Sequence, residues 1–237
     1  MYSDKVVLIT GASRGVGYEI AKYFLNKNAI VIGFSRGVPN IEDKCYYHFS
    51  VELSNPDNIN NTFKYISRQF KKIDIVVNNA AVLTSQYSLI MPIKNAVDMV
   101  NVNLLGTFFV SRESAKLMRK SGYGRIINIS SMAVSLEPAG DSIYAATKAG
   151  IQTLANVMAK ELSTMNITCN TVAISAIETD MLNQHSPAAQ DKIKKIINEL
   201  PIPRMAKIDD LLNVIDFYCS ERSSYISGQM IYLGGLK

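Results

Sequence analysis

The chain has 237 residues, of which 48% are hydrophobic and 19% charged, a composition that builds a buried core and excludes a disordered or low-complexity chain. The 25 Lys and Arg outweigh the 20 Asp and Glu to give a net charge of +5, but they are dispersed, so no basic stripe for nucleic acid is expected. No apolar run reaches the roughly 18 residues of a membrane span, and Met1-Tyr2-Ser3-Asp4-Lys5 lacks the apolar stretch of a secretion signal.

The first predicted strand, Lys5–Thr10, runs into Gly11-Ala12-Ser13-Arg14-Gly15-Val16-Gly17 and then a helix near Val16–Asn28. A strand, a glycine-rich turn and a helix in this order form a dinucleotide cradle. Gly11 permits the tight turn, Gly15 admits a pyrophosphate to the backbone, and Gly17 lets helix and strand pack closely. The helix N-terminus offers free amides and a positive dipole end to the phosphates. The second strand, Ala29–Phe34, ends at Ser35-Arg36-Gly37. A carboxylate at that place suits the ribose 2′-hydroxyl of NAD, whereas an arginine suits the 2′-phosphate of NADP. With Arg36 there, Arg14 inside the glycine turn and no acid at Ser35, NADP(H) is the expected cofactor.

A third strand is expected over Cys45–Phe49, a helix near Asp57–Phe70, a fourth strand over Ile73–Asn78 and a helix near Val102–Lys120. The fifth strand, Gly124–Ser130, leads to Ser131, and a helix follows near Tyr144–Thr164. Tyr144 and Lys148 are four apart, which places them on one face of that helix. A free phenol titrates near 10, and a neighbouring ammonium favours phenolate and brings that value towards working pH. Ser130 adjoins Ser131, but alternation along the strand turns it to the other side, so Ser131 is the candidate.

Helices near Pro187–Glu199 and Ile208–Cys219 and strands over Ile167–Ala173 and Gln229–Leu233 complete the pattern. The strands are nearly continuous in apolar residues, as in a parallel sheet covered on both faces. Seven strands alternating with helices predict a doubly wound α/β fold of Rossmann type, one domain over residues 1–237. Cys45, Cys169 and Cys219 are too scattered for a disulfide framework or a zinc site, which points to a reducing cytoplasm. His48 and His185 have no second ligand at metal spacing, so no metal is expected.

On these motifs the chain resembles the short-chain dehydrogenase/reductase family, in its single-domain form, over nearly its whole length. Thr10-Gly11 with Gly15 and Gly17 matches its cofactor turn. Asn78-Asn79-Ala80-Ala81 matches its Asn-Asn-Ala-Gly segment with Ala81 for Gly, and Asn101-Val102-Asn103-Leu104 the segment of its active-site Asn. Ser131, Tyr144 and Lys148 match its Ser, Tyr and Lys. Ile177-Glu178-Thr179-Asp180 matches the segment whose Thr contacts the nicotinamide amide, and Gly228-Gln229 the start of its last strand. The resemblance implies Asn103, Ser131, Tyr144 and Lys148 as catalytic residues. It implies a cofactor site of Gly11, Ser13, Arg14, Gly15, Val16, Gly17, Arg36, Glu52, Leu53, Asn79, Ala80, Ala81, Tyr144, Lys148, Ile177 and Thr179. Four departures stand out. Ile174-Ser175 replaces a Pro-Gly, Glu52 replaces an Asp on the adenine side, Leu233-Gly234-Gly235 lacks the acid of Asp-Gly-Gly, and little tail follows to cover a substrate.

The implied reaction moves a hydride between nicotinamide and a carbonyl or secondary alcohol. Tyr144 serves as general acid or base, and Ser131 holds the same oxygen. Lys148 lowers the phenol's pKa and holds the ribose hydroxyls, and Asn103 anchors a water feeding protons to Lys148. The expected partner is a small molecule, with a pocket shaped by Ala133, Val134, Leu136, Pro138 and the Thr179–Pro187 stretch. The expected assembly is a tetramer or dimer through the helices near Val102–Lys120 and Tyr144–Thr164. Ser88-Leu89-Ile90-Met91 resembles 3-oxoacyl-carrier-protein reductases, but Gly122 and Met165 stand where those enzymes carry basic residues. A sugar-type or other small polar substrate therefore stays open. Two other functions compete. A nucleotide-sugar epimerase or dehydratase is opposed by the Gly15-x-Gly17 spacing and the chain length, and an idle NADP-sensing protein by the retention of both Tyr144 and Lys148.

Overall fold

The computed structural model of the protein describes residues 2–177, 197–198 and 200–235. Its strands are β1 (Val6–Thr10), β2 (Ile30–Ser35), β3 (Tyr46–Ser50), β4 (Ile75–Asn78), β5 (Gly124–Ser131), β6 (Ile167–Ile174) and β7 (Met230–Tyr232). Among the described residues the α-helices are α1 (Gly15–Asn26), α2 (Pro56–Gln69), α3 (Ile93–Met99), α4 (Thr107–Ser121), α5 (Ala133–Leu136), α6 (Ser142–Glu161) and α7 (Ile208–Cys219). All seven strands pair in parallel, in the order β3-β2-β1-β4-β5-β6-β7. Each expected strand is present, with its ends moved by one or two residues.

The central strands are mostly apolar because helices cover both faces of the sheet. On one face α1 and α7 bury Ile20, Phe24, Leu211 and Ile215 against Val7, Ile9 and Val172. On the other, α2, α4 and α6 bury Ile59, Phe63, Val110 and Met158 against Leu8, Ile32 and Val76. Successive residues of β1 thus feed opposite layers, and each fully buried side chain of this size contributes about 1.5–3 kcal/mol. Parallel strands need crossovers, and the strand order reverses between β1 and β4. The carboxyl ends of the strands diverge there and leave a crevice for a ligand.

Two elements differ from expectation. The helix expected from Val102 begins as a π-helical turn, Val100–Gly106, and continues as α4. Ahead of it lies α3, which the sequence did not mark. It buries only Met99 and leaves Ile93 and Val97 exposed, so its apolar residues do not trace a core-facing stripe. The helix expected over Pro187–Glu199 lies almost wholly outside the described residues. No helix among the described residues is long and apolar enough to cross a membrane.

Candidate active site

The turn after β1 is built by three glycines with different duties. Gly11 and Gly15 hold φ of 72° and 58°, a left-handed backbone that a side chain resists. Gly17 has no such angle; a Cβ there would lie 2.3 Å from the carbonyl oxygen of Gly11. Helix α1 starts at Gly15 behind Arg14, which is extended and gives no side-chain cap. The first amides of α1 are therefore left for a ligand. The end of β4 is tied to this turn. Thr10 Oγ1 accepts from the amides of Asn79 and Ala80, both at 3.0 Å, and Asn79 Nδ2 donates to the Thr10 carbonyl at 3.0 Å. Asn78 Nδ2 donates to Ser111 and Asn128 below.

A crevice of ≈ 660 Å³ opens over this turn. Of the expected cofactor residues, Gly11, Ser13, Arg14, Gly15, Val16 and Arg36 line it around the ends of β1 and β2. Glu52, Leu53, Asn79, Ala80 and Ala81 line the rest. An uncapped helix N-terminus, a glycine cradle and two guanidiniums suit a dinucleotide phosphate. Gly17 lies beneath the crevice rather than in its wall. Ile177 is 5% exposed, bridges to Ala206, and does not line it; Thr179 lies outside the described residues. Ser35, Gly37, Val82 and Val102 also line the crevice. Nothing in the chemistry of Val82 and Val102 singled them out; the segment after β4 and the π-helical turn bring them there.

Arg36 and Glu52 face each other. The Arg36 guanidinium is 73% exposed and stands 3.8 Å from the Glu52 carboxylate. The other Glu52 oxygen accepts from Ser54 Oγ at 3.1 Å. The carboxylate is thus shared between Ser54 and Arg36, an exposed pair worth little in stability.

The expected catalytic residues lie at the same carboxyl edge of the sheet. Ser131 is the last residue of β5, and its Oγ accepts from the Ala133 amide at 3.1 Å. Tyr144 sits in the first turn of α6 and Lys148 one turn on. Lys148 is 3% exposed, and its Nζ donates to the Ile129 carbonyl at 2.8 Å. Burial lowers its pKa to about 8. The ammonium stands 5.8 Å from the centre of the Tyr144 ring. The Tyr144 pKa is raised rather than lowered. Burial raises it, the hydrogen bond with Ser131 opposes this, and the Asp141 carboxylate adds to it. The expectation of a lowered value is corrected: desolvation of the phenolate outweighs the contacts that favour it.

Strand alternation separates the two serines as expected. Ser130 is buried, and its Oγ donates to the Lys148 carbonyl at 3.1 Å, which anchors α6 to the sheet. Asn103 is fully buried in the π-helical turn. Its side-chain partners among the described residues are the backbone of Val82 and the hydroxyl of Thr147. Beside α6 lies a second cavity of ≈ 550 Å³, lined in part by Tyr87, Val134, Pro138, Ala145 and Ala149. Of the residues expected to shape a pocket, Val134 and Pro138 line this cavity. Ala133 is buried, Leu136 is half-buried and neither lines this cavity; the Thr179–Pro187 stretch lies outside the described residues.

Three comparisons bear on this arrangement. A family model described as short chain dehydrogenase matches residues 5–190. A 3-oxoacyl-acyl-carrier-protein reductase of Aquifex aeolicus is 33% identical, over 98% of this chain and 96% of its own length. The enzyme of that name from Escherichia coli is 30% identical, over 99% and 97%. Among solved structures, the ligand-free aldohexose dehydrogenase of Thermoplasma acidophilum superposes with a TM-score of 0.89 at 28% identity, over 98% of this chain and 94% of its own. A short chain dehydrogenase of Leptospira borgpetersenii with bound NAD+ has a TM-score of 0.89 at 26% identity, over 99% and 92%.

Proposed function

The chain belongs to the short-chain dehydrogenase family and is an oxidoreductase of C=O and CH–OH groups, and from this we propose that it reduces a carbonyl with NADPH, with Tyr144 as the proton donor. What supports this reading is Ser131 at the end of β5 with Tyr144 and Lys148 at the start of α6, at the carboxyl edge of the sheet onto which the glycine-lined crevice also opens. The bound nicotinamide supplies a hydride to the carbonyl carbon. Tyr144 gives its proton to the oxygen that becomes the alcohol. Ser131 donates to the same oxygen and holds it in place as charge builds there. Lys148, whose pKa of about 8 keeps much of it charged near neutrality, stabilises the phenolate left behind. In the reverse direction the same residues act in reverse order, and Tyr144 takes the proton.

NADPH is favoured over NADH by Arg14 and Arg36 on the ribose side of the crevice. A 2′-phosphate would replace the Glu52 carboxylate as the partner of Arg36. Among substrates, 3-oxoacyl thioesters stand first, on the names of the relatives at 30–33% identity. An aldohexose is the second reading, on the structural neighbour that oxidises one and on the absence of basic residues at Gly122 and Met165. The enzyme acts as one domain in a reducing cytoplasm, consistent with its three free cysteines.

The test is cofactor consumption against acetoacetyl thioesters, aldohexoses and simple ketones, with NADPH and NADH in parallel. Faster turnover with NADPH, and loss or reversal of that preference in Arg36→Asp, is the expected result. A wild-type preference for NADH overturns the cofactor assignment, and no turnover on any carbonyl overturns the activity.

A further inference from the structure

We propose that Thr147 is a positioning residue for the proton donor: held by Asn103, its hydroxyl fixes the turn of α6 that sets Tyr144 against Ser131. The proposal rests on the reading of Tyr144 as that donor. Thr147 is 3% exposed and lies inside the Tyr-x-x-x-Lys spacing, at a position the motif leaves open.

A hydroxyl has one hydrogen to give and lone pairs to receive, and Thr147 uses both. Its Oγ1 donates to the carbonyl of Tyr144 at 2.8 Å and accepts from Asn103 Nδ2 at 3.2 Å. The first contact alone is ordinary, because helical threonines often bond the carbonyl three or four residues back. The second comes from another element. Asn103 belongs to the π-helical turn, and both ends of its amide are fixed by Val82. Its Oδ1 accepts from the Val82 amide at 2.8 Å, and its Nδ2 donates to the Val82 carbonyl at 3.0 Å. Turning the amide over would set its NH2 against the Val82 N–H, so Nδ2 must face Thr147. With Asn103 as donor, the Thr147 hydrogen is committed to Tyr144. Thr107 Oγ1 donates to the Asn103 carbonyl at 2.7 Å and holds the π-helical turn itself. A continuous set of bonds thus runs from Val82, in the wall of the cofactor crevice, to the backbone of Tyr144.

The phenol responds to what surrounds it. Ser131 of β5 bonds it, Asp141 before α6 opposes its ionisation, and the Lys148 ammonium stands 5.8 Å from its ring. Ser131 offsets part of the effect of burial, so a loosened turn that moves the phenol off Ser131 raises its titration midpoint.

The variants are Thr147→Val, which removes the hydroxyl and keeps the shape, and Thr147→Ser, which keeps the hydroxyl. Titration of ligand-free protein labelled with 13C-tyrosine follows the Tyr144 resonance, identified by its loss in Tyr144→Phe. In Thr147→Val the midpoint should rise by about half a pH unit or more. Turnover at saturating cofactor should fall about tenfold, with NADPH affinity within about threefold of wild type because no cofactor contact is removed. Thr147→Ser should restore both. Thr147→Ala gives the same direction as Thr147→Val and replaces it if that variant does not fold. An unmoved Tyr144 titration in the variants lacking the hydroxyl, or an equal change in Thr147→Ser, overturns the proposal. Full turnover in Tyr144→Phe defeats the proton-donor reading instead, and the titration still decides whether Thr147 fixes the phenol.

Discussion

Lys148 shows how burial and charge compete at single residues. Its ammonium is out of water, held by one carbonyl, and its pKa falls from 10.5 to about 8. Below about pH 8 the folded and unfolded chains both carry the proton, and the folded one bears the desolvation cost. Between about 8 and 10.5 the unfolded chain holds more protons, so this group makes the ligand-free protein more stable as pH rises. The difference is on the order of 3 kcal/mol. Lys148→Met should therefore raise the melting temperature at pH 7 and flatten its rise between pH 8 and 10, while abolishing turnover. A melting profile identical to wild type contradicts the burial argument. Residues of this kind were legible as types and spacings. Ser131 was separable from Ser130 by strand alternation alone. The sign of the Tyr144 shift was not legible, because desolvation depends on what α6 packs against, which no local spacing records.

The β1–turn–α1 unit was readable because its constraints are local. Three glycines, each required by φ or by close approach, follow a fully buried five-residue strand. Gly17→Ala tests it. The new Cβ would lie 2.3 Å from the Gly11 carbonyl and 2.5 Å from Asn79 Nδ2, so backbone must shift. Overpacking of this kind costs about 1–3 kcal/mol, which should lower the melting temperature by roughly 5 °C. NADPH affinity should fall at least about tenfold, since the amides of α1 move with the turn. A variant matching wild type in both would remove the close-packing account. The π-helical turn was not readable, for the opposite reason. Val100–Gly106 has an ordinary helical composition, and its widened turn is held by distant partners, Asn103 to Val82 and to Thr147. Helix α3 was missed because its apolar residues face outward.

The whole sheet was legible because a parallel sheet buried on both faces demands continuous apolar strands, and the spacing of helices between them dictates crossovers. The surface left by that packing is uneven. Tyr87, Leu89, Ile90, Ile93 and Val97 are all at least half exposed, and Leu105 and Val157 remain 40% and 47% exposed. Single exposed apolar residues are common, but we read so many of them as the surface on which a second copy of the chain docks. Light scattering should therefore return a mass that is a multiple of the 26.2 kDa chain, and a monomer at micromolar concentration contradicts that. The account as a whole turns on one phenol. Its most direct test is Tyr144→Phe, assayed for carbonyl reduction with NADPH and for NADPH binding in the same preparation. Binding should stay close to wild type while turnover falls by roughly 10²–10⁴-fold, the contribution of general acid–base catalysis; near-normal turnover with intact binding would contradict it.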